Sequence, residues 1–380
     1  MIHPDCFRPP WIREQAAAMR VQPQNLQLLE RCIMALELVG RLSDAGLNFV
    51  FKGGTSLVLL LNPVRRLSID VDIVTPEPLE RLTAVLEQVG RTPPFIRYEH
   101  QTGRDRDAPP TKHFKIVFRS TVGAQAQAES HVQLDVIAAT HAYSATERRR
   151  VETPFIRLES ESHVLLPTVD CLLGDKLAAF APTTIGVLYN PVTRHGQPSE
   201  PPAQKIMKQL FDVGHLFAEA TDFARIDATY RATFEAQIRY GRGPFSIDQC
   251  LDDTIEAART LSLIPSAVAA PHTEAQKILR TGSRGLTSHL LTESFTLDRH
   301  APVAAARAAL LAKLIRYGLS NSVPRDIVRS LPSPAVLGLI TLADGPNAAL
   351  TPVLRRTAPE ALYLWSLIDE ADALARQSNS

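Results

Sequence analysis

The sequence predicts an α/β domain followed by an all-α domain. Helix-like and strand-like segments alternate up to about residue 160, and beyond it helical periodicity continues while strand-like alternation is scarce. The last strands of the first part are too closely spaced for helical crossovers, so its sheet is expected to be mixed rather than parallel. The expected division is an α/β domain over 1–160 and a helical domain over 161–380.

Each element has its own signal. Over 23–45, Leu26, Leu29, Ile33, Leu36 and Val39 recur at helical spacing, and the apolar run 47–51 that follows reads as a strand. Gly53 and Gly54 form a tight turn into a helical stretch at 56–61. Asp70 and Asp72 lie in an extended segment of period two, with Ile69, Val71 and Ile73 on its opposite, buried face. A helix over 78–89 comes next, then strands at 95–99, 113–119 and 130–138, with the polar segment 102–111 read as a mobile loop. Helices are expected at 168–180, 205–220, 223–239, 251–261, 301–318 and 359–376. The segment 182–202 carries five prolines, and an irregular stretch of that length is expected to be functional or disordered.

Composition excludes several classes. With Lys+Arg 41 against Asp+Glu 40, no global field recruits nucleic acid, and any such contact must come from local patches. Cys6, Cys32, Cys171 and Cys250 lie far apart without a C-x-x-C pair, which speaks against zinc and against a disulfide framework. His141, His163 and His195 have no ligand spacing either. The first residues lack an apolar signal core and no run of eighteen apolar residues occurs, so the expectation is a soluble cytoplasmic protein with no membrane partner.

The chemistry concentrates around residue 50. Lys52, Gly53, Gly54, Thr55 and Ser56 lie between an apolar strand and a helix, where backbone N–H groups at a helix start hold phosphate oxygens. Asp70 and Asp72 supply hard oxygen ligands for Mg²⁺ or Mn²⁺, and Asp135, facing away from Val132, Leu134 and Val136, is the candidate third carboxylate and metal ligand. Lys176 falls in the stripe Val169, Leu172, Leu173, Phe180, from which it either reaches over the sheet or snorkels to water. Lys205, Lys208, Asp212, His215 and Glu219 share one helix face, read by spacing as solvated with a Lys208–Asp212 pair. Arg148–Arg150 and the Lys277, Arg280, Arg284 set are short basic clusters without aromatics to stack bases.

Taken together, Gly53-Gly54-Thr55-Ser56-Leu57, Arg66-Leu67-Ser68-Ile69-Asp70-Val71-Asp72, Gly174-Asp175-Lys176-Leu177 and Lys208-Gln209-Leu210-Phe211-Asp212 resemble the four motifs of the AbiEii family of nucleotidyltransferase toxins. The resemblance covers about residues 47–217. It implies a DNA polymerase β-like nucleotidyltransferase core with a helical C-terminal domain, acting as the toxin of a phage-defence toxin–antitoxin pair. It further implies NTP and a cognate antitoxin as partners, and transfer of a nucleotide to an RNA acceptor, the tRNA 3′ end. In that pattern Asp70, Asp72, Asp135, Lys176 and Asp212 are catalytic, while Lys52, Gly53, Gly54, Thr55, Ser56, Arg66, Ser68, Lys176 and Lys208 hold the nucleotide. Two other readings of the same residues are nucleotide transfer to a protein or small molecule, and a nucleotide-binding module without catalysis.

Overall fold

The structure is a computed structural model that describes all residues except 108, 124–125, 192–198, 201, 267–271, 292–293, 319–330, 343–344 and 379–380. The chain divides into two compact units, Met1–Thr168 with Ser288–Glu293, and Val169–Thr287 with Ser294–Ser380. The first unit therefore ends beyond the residue 160 boundary read from the sequence, and it takes back a short segment from far downstream.

In the first unit α1 (Pro9–Ala18) and α2 (Leu26–Asp44) precede β1 (Val50–Lys52), α3 (Gly53–Leu60), β2 (Val71–Thr75) and α4 (Leu79–Gly90). Then follow β3 (Phe95–His100), β4 (Arg106–Asp107), β5 (Pro110–Arg119), β6 (Glu129–Ala138), β7 (Thr146–Arg150) and β8 (His163–Pro167). The sheet runs in the order β3-β5-β6-β2-β1-β8-β7, with β4 paired to β5. It is mixed: β2 is parallel to β6 and β1 to β8, while β1–β2, β5–β6 and β7–β8 are antiparallel.

Alternation decides which face is covered. Phe51, Val71, Ile73, Phe114, Ile116, Val132, Leu134 and Val136 join Leu29, Ile33 and Leu36 of α2 and Leu82, Val85 and Leu86 of α4 in one buried cluster. Each such side chain gains about 1.5–3 kcal/mol by leaving water, so a slip of one residue in register would forfeit the whole set. The intervening residues, among them Asp72, Asp135 and His113, are thereby turned to the other face. Two carboxylates are nevertheless buried with α2. Glu30 accepts from Ser120 Oγ at 2.6 Å and from Thr121 N at 2.6 Å, and Glu37 accepts from Ile2 N at 2.8 Å and pairs with Arg41.

Several sequence expectations are corrected in this unit. β7 and β8 were not anticipated, and Arg148, Arg149 and Arg150 belong to the edge strand β7. There Arg149 pairs with Glu147 at 2.9 Å and Arg150 with Glu161 at 3.3 Å, which gives the cluster a structural occupation. The loop expected at 102–111 contains a 3₁₀ turn (Thr102–Arg104) and β4. Asp105 ties it down, accepting from His113 N at 3.2 Å and contacting His100 Nε2 at 2.9 Å and Lys112 Nζ at 3.2 Å. Ile69 is half-buried rather than buried. All four cysteines are buried and unbridged.

The second unit is helical among its described residues: α5 (Val169–Ala179), α6 (Ala203–Glu219), α7 (Phe223–Arg239), α8 (Ile247–Ser262), α9 (Glu274–Leu286), α10 (His300–Arg316), α11 (Pro334–Leu339), α12 (Thr351–Thr357) and α13 (Pro359–Ser378). Lys277, Arg280 and Arg284 lie on α9, a helix not read from the sequence, where Leu279, Gly282 and Leu286 are buried and Lys277 pairs with Glu274. Part of the proline-rich segment 182–202, with His195, lies outside the described residues. Its beginning is ordered, since Gly186 N donates to Ala181 O at 2.9 Å and Tyr189 N to Pro182 O at 2.9 Å. Asp253 of α8 anchors the same turn, accepting from Thr183 N and Thr184 Oγ1, each at 2.8 Å. No helix among the described residues is long and apolar enough to cross a membrane.

Burial pushes the Asp253 carboxyl above its ordinary 3.8, against the pull of the Thr183 and Thr184 hydrogen bonds. A raised folded value means that the unfolded chain loses this proton first. The stability from Asp253 is thus fully present below the unfolded value and is lost as pH rises through the folded one. Asp253→Asn keeps an oxygen for both donors and is expected to flatten this slope. Urea midpoints measured from about pH 4 to about pH 7 should show wild type losing stability relative to the variant as pH rises. Parallel profiles would refute the assignment.

Candidate active site

The glycine pair at the start of α3 is explained by what lies against it. Gly53 has φ +79°, and a Cβ there would stand 2.1 Å from Asp72 Oδ2. A Cβ on Gly54 would stand 2.5 Å from Arg66 Nη2 and 2.9 Å from Ser68 Oγ. The helix start is therefore pressed against Asp72 on one side and against Arg66 and Ser68 on the other. Lys52, the residue before the helix, provides no side-chain cap. The first N–H groups of α3, with the positive end of its dipole, thus lie beside the Asp72 carboxylate.

Thr55 and Ser56 are fully buried and do something other than expected. Thr55 Oγ1 donates to the Asp70 carbonyl at 2.5 Å, tying α3 to the start of β2, and Ser56 Oγ donates back to Gly53 O at 2.9 Å. Both hydroxyl protons are committed to backbone. Any phosphate contact here falls to main-chain N–H groups rather than to these side chains.

The carboxylates are aligned by the sheet. Lys52 is paired with Asp72 across β1–β2, Asp72 with Asp135 across β2–β6, and Asp135 with His113 across β5–β6. Residues at one register on neighbouring strands project from the same face about 5 Å apart, so these four form a continuous row. His113, which the sequence reading missed, places Nδ1 2.7 Å from Asp135 Oδ1, and Gln133 Nε2 donates to the same oxygen at 3.0 Å. Alternation of His113 and Lys115 with Phe114 and Ile116 marked their face, but the β5–β6 register that brings His113 to Asp135 has no local signature. Asp70, just before β2, is exposed, whereas Asp72 is partly buried.

The loop carrying Arg66 and Ser68 is braced by the returning downstream segment. Leu67 N donates to His289 O at 2.8 Å, Leu291 N donates to Arg65 O at 3.3 Å, and the His289 ring lies 3.2 Å from Leu67 O. Arg66, 4% exposed, is thereby held against Gly54. Cys32 of α2 lies beneath the loop. Its burial pushes the thiol up to about 12, against the opposing effects of the Ser68 backbone and the Arg66 charge, so it stays protonated.

In the second unit Lys176 of α5 and Asp212 of α6 form an ion pair of 2.9 Å, with side chains 7% and 0% exposed. This corrects two readings. Lys176 does not snorkel to water, and the face of Asp212 is not solvated there; the side chain that spacing placed on a wet helix face is wholly buried. Lys208 is partly buried one turn earlier. The site residues thus fall into two sets, Lys52 to Asp135 in the first unit and Lys176, Lys208 and Asp212 in the second.

No group of three His, Cys, Asp or Glu side chains among the described residues is placed to hold a metal ion. The Asp72 carboxylate does suit Mg²⁺, which commonly takes one or two carboxylates and completes its shell with phosphate oxygens and water. The donor set is hard oxygen throughout, as that ion prefers.

Two expectations test these contacts. Gly53→Ala should cost about 1–3 kcal/mol in urea unfolding through strain at positive φ, and should abolish NTP binding in calorimetric titration by displacing Asp72. Unchanged affinity in the folded variant would contradict the packing described. Lys176→Ala should destabilise by about 3–5 kcal/mol because it removes the cation paired with the buried Asp212, and Lys176→Met with Asp212→Leu should recover most of that loss. Thermal melts of wild type and the two variants decide it, and an unaltered midpoint for Lys176→Ala would show the pair to be energetically idle.

Comparison with curated proteins returned no match. The family described as nucleotidyl transferase AbiEii toxin, type IV toxin–antitoxin system, matches over residues 38–327 of the 380. That span includes the glycine turn, the aspartates, His113 and the buried Lys176–Asp212 pair. This chain belongs to the AbiEii family of nucleotidyl transferase toxins of type IV toxin–antitoxin systems.

Proposed function

We propose that the protein transfers a nucleotide from an NTP to an RNA acceptor, the 3′ end of tRNA, in a metal-dependent reaction restrained by a cognate antitoxin in the cytoplasm during phage defence. The observation that carries the reading is the pairing of Asp72 with Asp135 in one row, with the start of α3 packed against Asp72. Main-chain N–H groups at Gly53 and Gly54, with Lys52 and Arg66, supply positive charge for a triphosphate, and Ser68 supplies a hydroxyl beside it. Lys176, Lys208 and Asp212 enter the reading through the family pattern.

In the reaction the acceptor hydroxyl oxygen forms a bond to the α-phosphorus while the bond between that phosphorus and the bridging oxygen breaks. Pyrophosphate leaves with the electron pair. The hydroxyl proton passes to Asp135 and from there to water. A divalent cation such as Mg²⁺ or Mn²⁺, which Asp72 would hold with Asp70 near it, would neutralise charge on the triphosphate, leaving Asp135 for the proton. The chain's own contribution is positioning: register sets the carboxylates side by side, and the turn brings backbone donors to them.

Incubating the protein with one labelled NTP at a time and deacylated tRNA, total protein or aminoglycosides tests the reading. Label is expected on tRNA alone. Asp72→Ala should reduce incorporation at least about a hundredfold while the thermal midpoint stays close to wild type. Incorporation at the wild-type rate by folded Asp72→Ala, or label on protein or aminoglycoside instead of RNA, would overturn it.

A further inference from the structure

Asp135 is supported in a lopsided way. Its Oδ1 receives both His113 Nδ1 at 2.7 Å and Gln133 Nε2 at 3.0 Å, whereas Oδ2 has no protein partner among the described residues. A carboxylate only accepts, so the ring nitrogen facing it carries the proton, and His113 is the Nδ1–H donor. One oxygen is fixed by two donors and the other is left for chemistry.

The donors are themselves held. His113 is 8% exposed, its backbone N–H donates to Asp105 Oδ1 at 3.2 Å, and its carbonyl accepts from Gln101 N at 2.7 Å. Gln133 Nε2 also donates to Phe114 O at 3.1 Å, and its Oε1 accepts from Arg104 Nη1 at 3.1 Å. Asp105 is bound to His100 and Lys112 as well, so the turn after β3 and the neighbouring strand jointly set the imidazole's position. A histidine kept only for packing would not need its ring polar atom aimed at a row of functional carboxylates. In the apolar half of β5 that role is filled by Phe114, Ile116 and Phe118.

We propose that His113 is a positioning residue for nucleotidyl transfer: its Nδ1–H fixes Asp135 Oδ1, so that Oδ2 is presented to the attacking hydroxyl and takes its proton. The proposal rests on the transferase reading above and names the residue that orients the base in it. An oriented carboxylate loses no time or entropy to rotation when the acceptor arrives, whereas a carboxylate held by Gln133 alone turns about its Cβ–Cγ bond. The effect belongs to turnover rather than to nucleotide binding.

The test compares wild type, His113→Phe, which keeps a ring without the donor, and His113→Asn, whose Nδ2 stands where Nδ1 stands. Transfer to tRNA, calorimetric titration with a non-hydrolysable NTP analogue, and ¹⁵N spectra of labelled histidine are measured together. The expected result is an Nδ1-protonated His113 in wild type and a kcat reduced about 10–100-fold in His113→Phe. Recovery to within about fivefold in His113→Asn is expected too, with analogue affinity and thermal midpoint nearly unchanged in both variants. A bare Nδ1 in the spectra, an unimpaired His113→Phe, or equal failure of both variants in binding and melting would overturn the role of His113 while leaving the transferase reading standing. Wild type that binds the analogue yet transfers to no RNA would instead overturn the transferase reading, and the His113 role with it.

Discussion

The contact on which the first unit depends is that between the start of α3 and the Asp72 side chain. Without a Cβ on Gly53 the carboxylate can lie against the helix start, and without one on Gly54 the buried Arg66 can approach from the other side. Thr55 completes the arrangement by donating to the backbone at Asp70. Glycine, glycine and threonine in succession are thus three answers to one packing problem, and the same packing leaves helix-start N–H groups next to an acidic strand. Carboxylate and helix end also suit each other electrostatically.

A sheet with one oily and one polar face explains how costly groups come to be concentrated in a row. The face packed on α2 and α4 is apolar throughout its alternating positions, and burying it holds the register. The opposite face then receives Lys52, Asp72, Asp135 and His113 side by side without further expense in register. Like charges on adjacent strands destabilise a sheet, so Asp72 and Asp135 together are a local burden. Donors from His113 and Gln133 relieve part of it on Asp135, and Lys52 stands next to Asp72 in the same row.

The second unit handles charge differently. Lys176 and Asp212 are removed from water and paired with each other, an arrangement that adds little net stability when intact and is costly to break. Asp253 is likewise buried, with hydrogen bonds from Thr183 and Thr184 in place of a cation, and it is burial, against those bonds, that makes its proton easier to keep. The motif residues of this unit are therefore also structural residues, so loss of activity on changing them carries meaning only beside a measurement of stability.

By itself the sequence determined the elements whose signals are local. The five apolar positions of α2, the glycine turn and the period-two aspartates each need only neighbours within one or two turns, and the motif set was sufficient to place the chain in its family. What required tertiary structure was everything set by long-range register and burial. His113 meets Asp135 only because β5 and β6 pair as they do, and the segment near His289 braces Leu67 from more than two hundred residues away. Asp212 looked solvated because a helix wheel shows spacing and not what packs on it, and Lys176, four positions before Phe180, supplied the charge that allowed its burial. β7 escaped notice because an arginine-rich edge strand lacks the apolar alternation by which strands are read; its neighbour's pairing, not its own composition, makes it a strand.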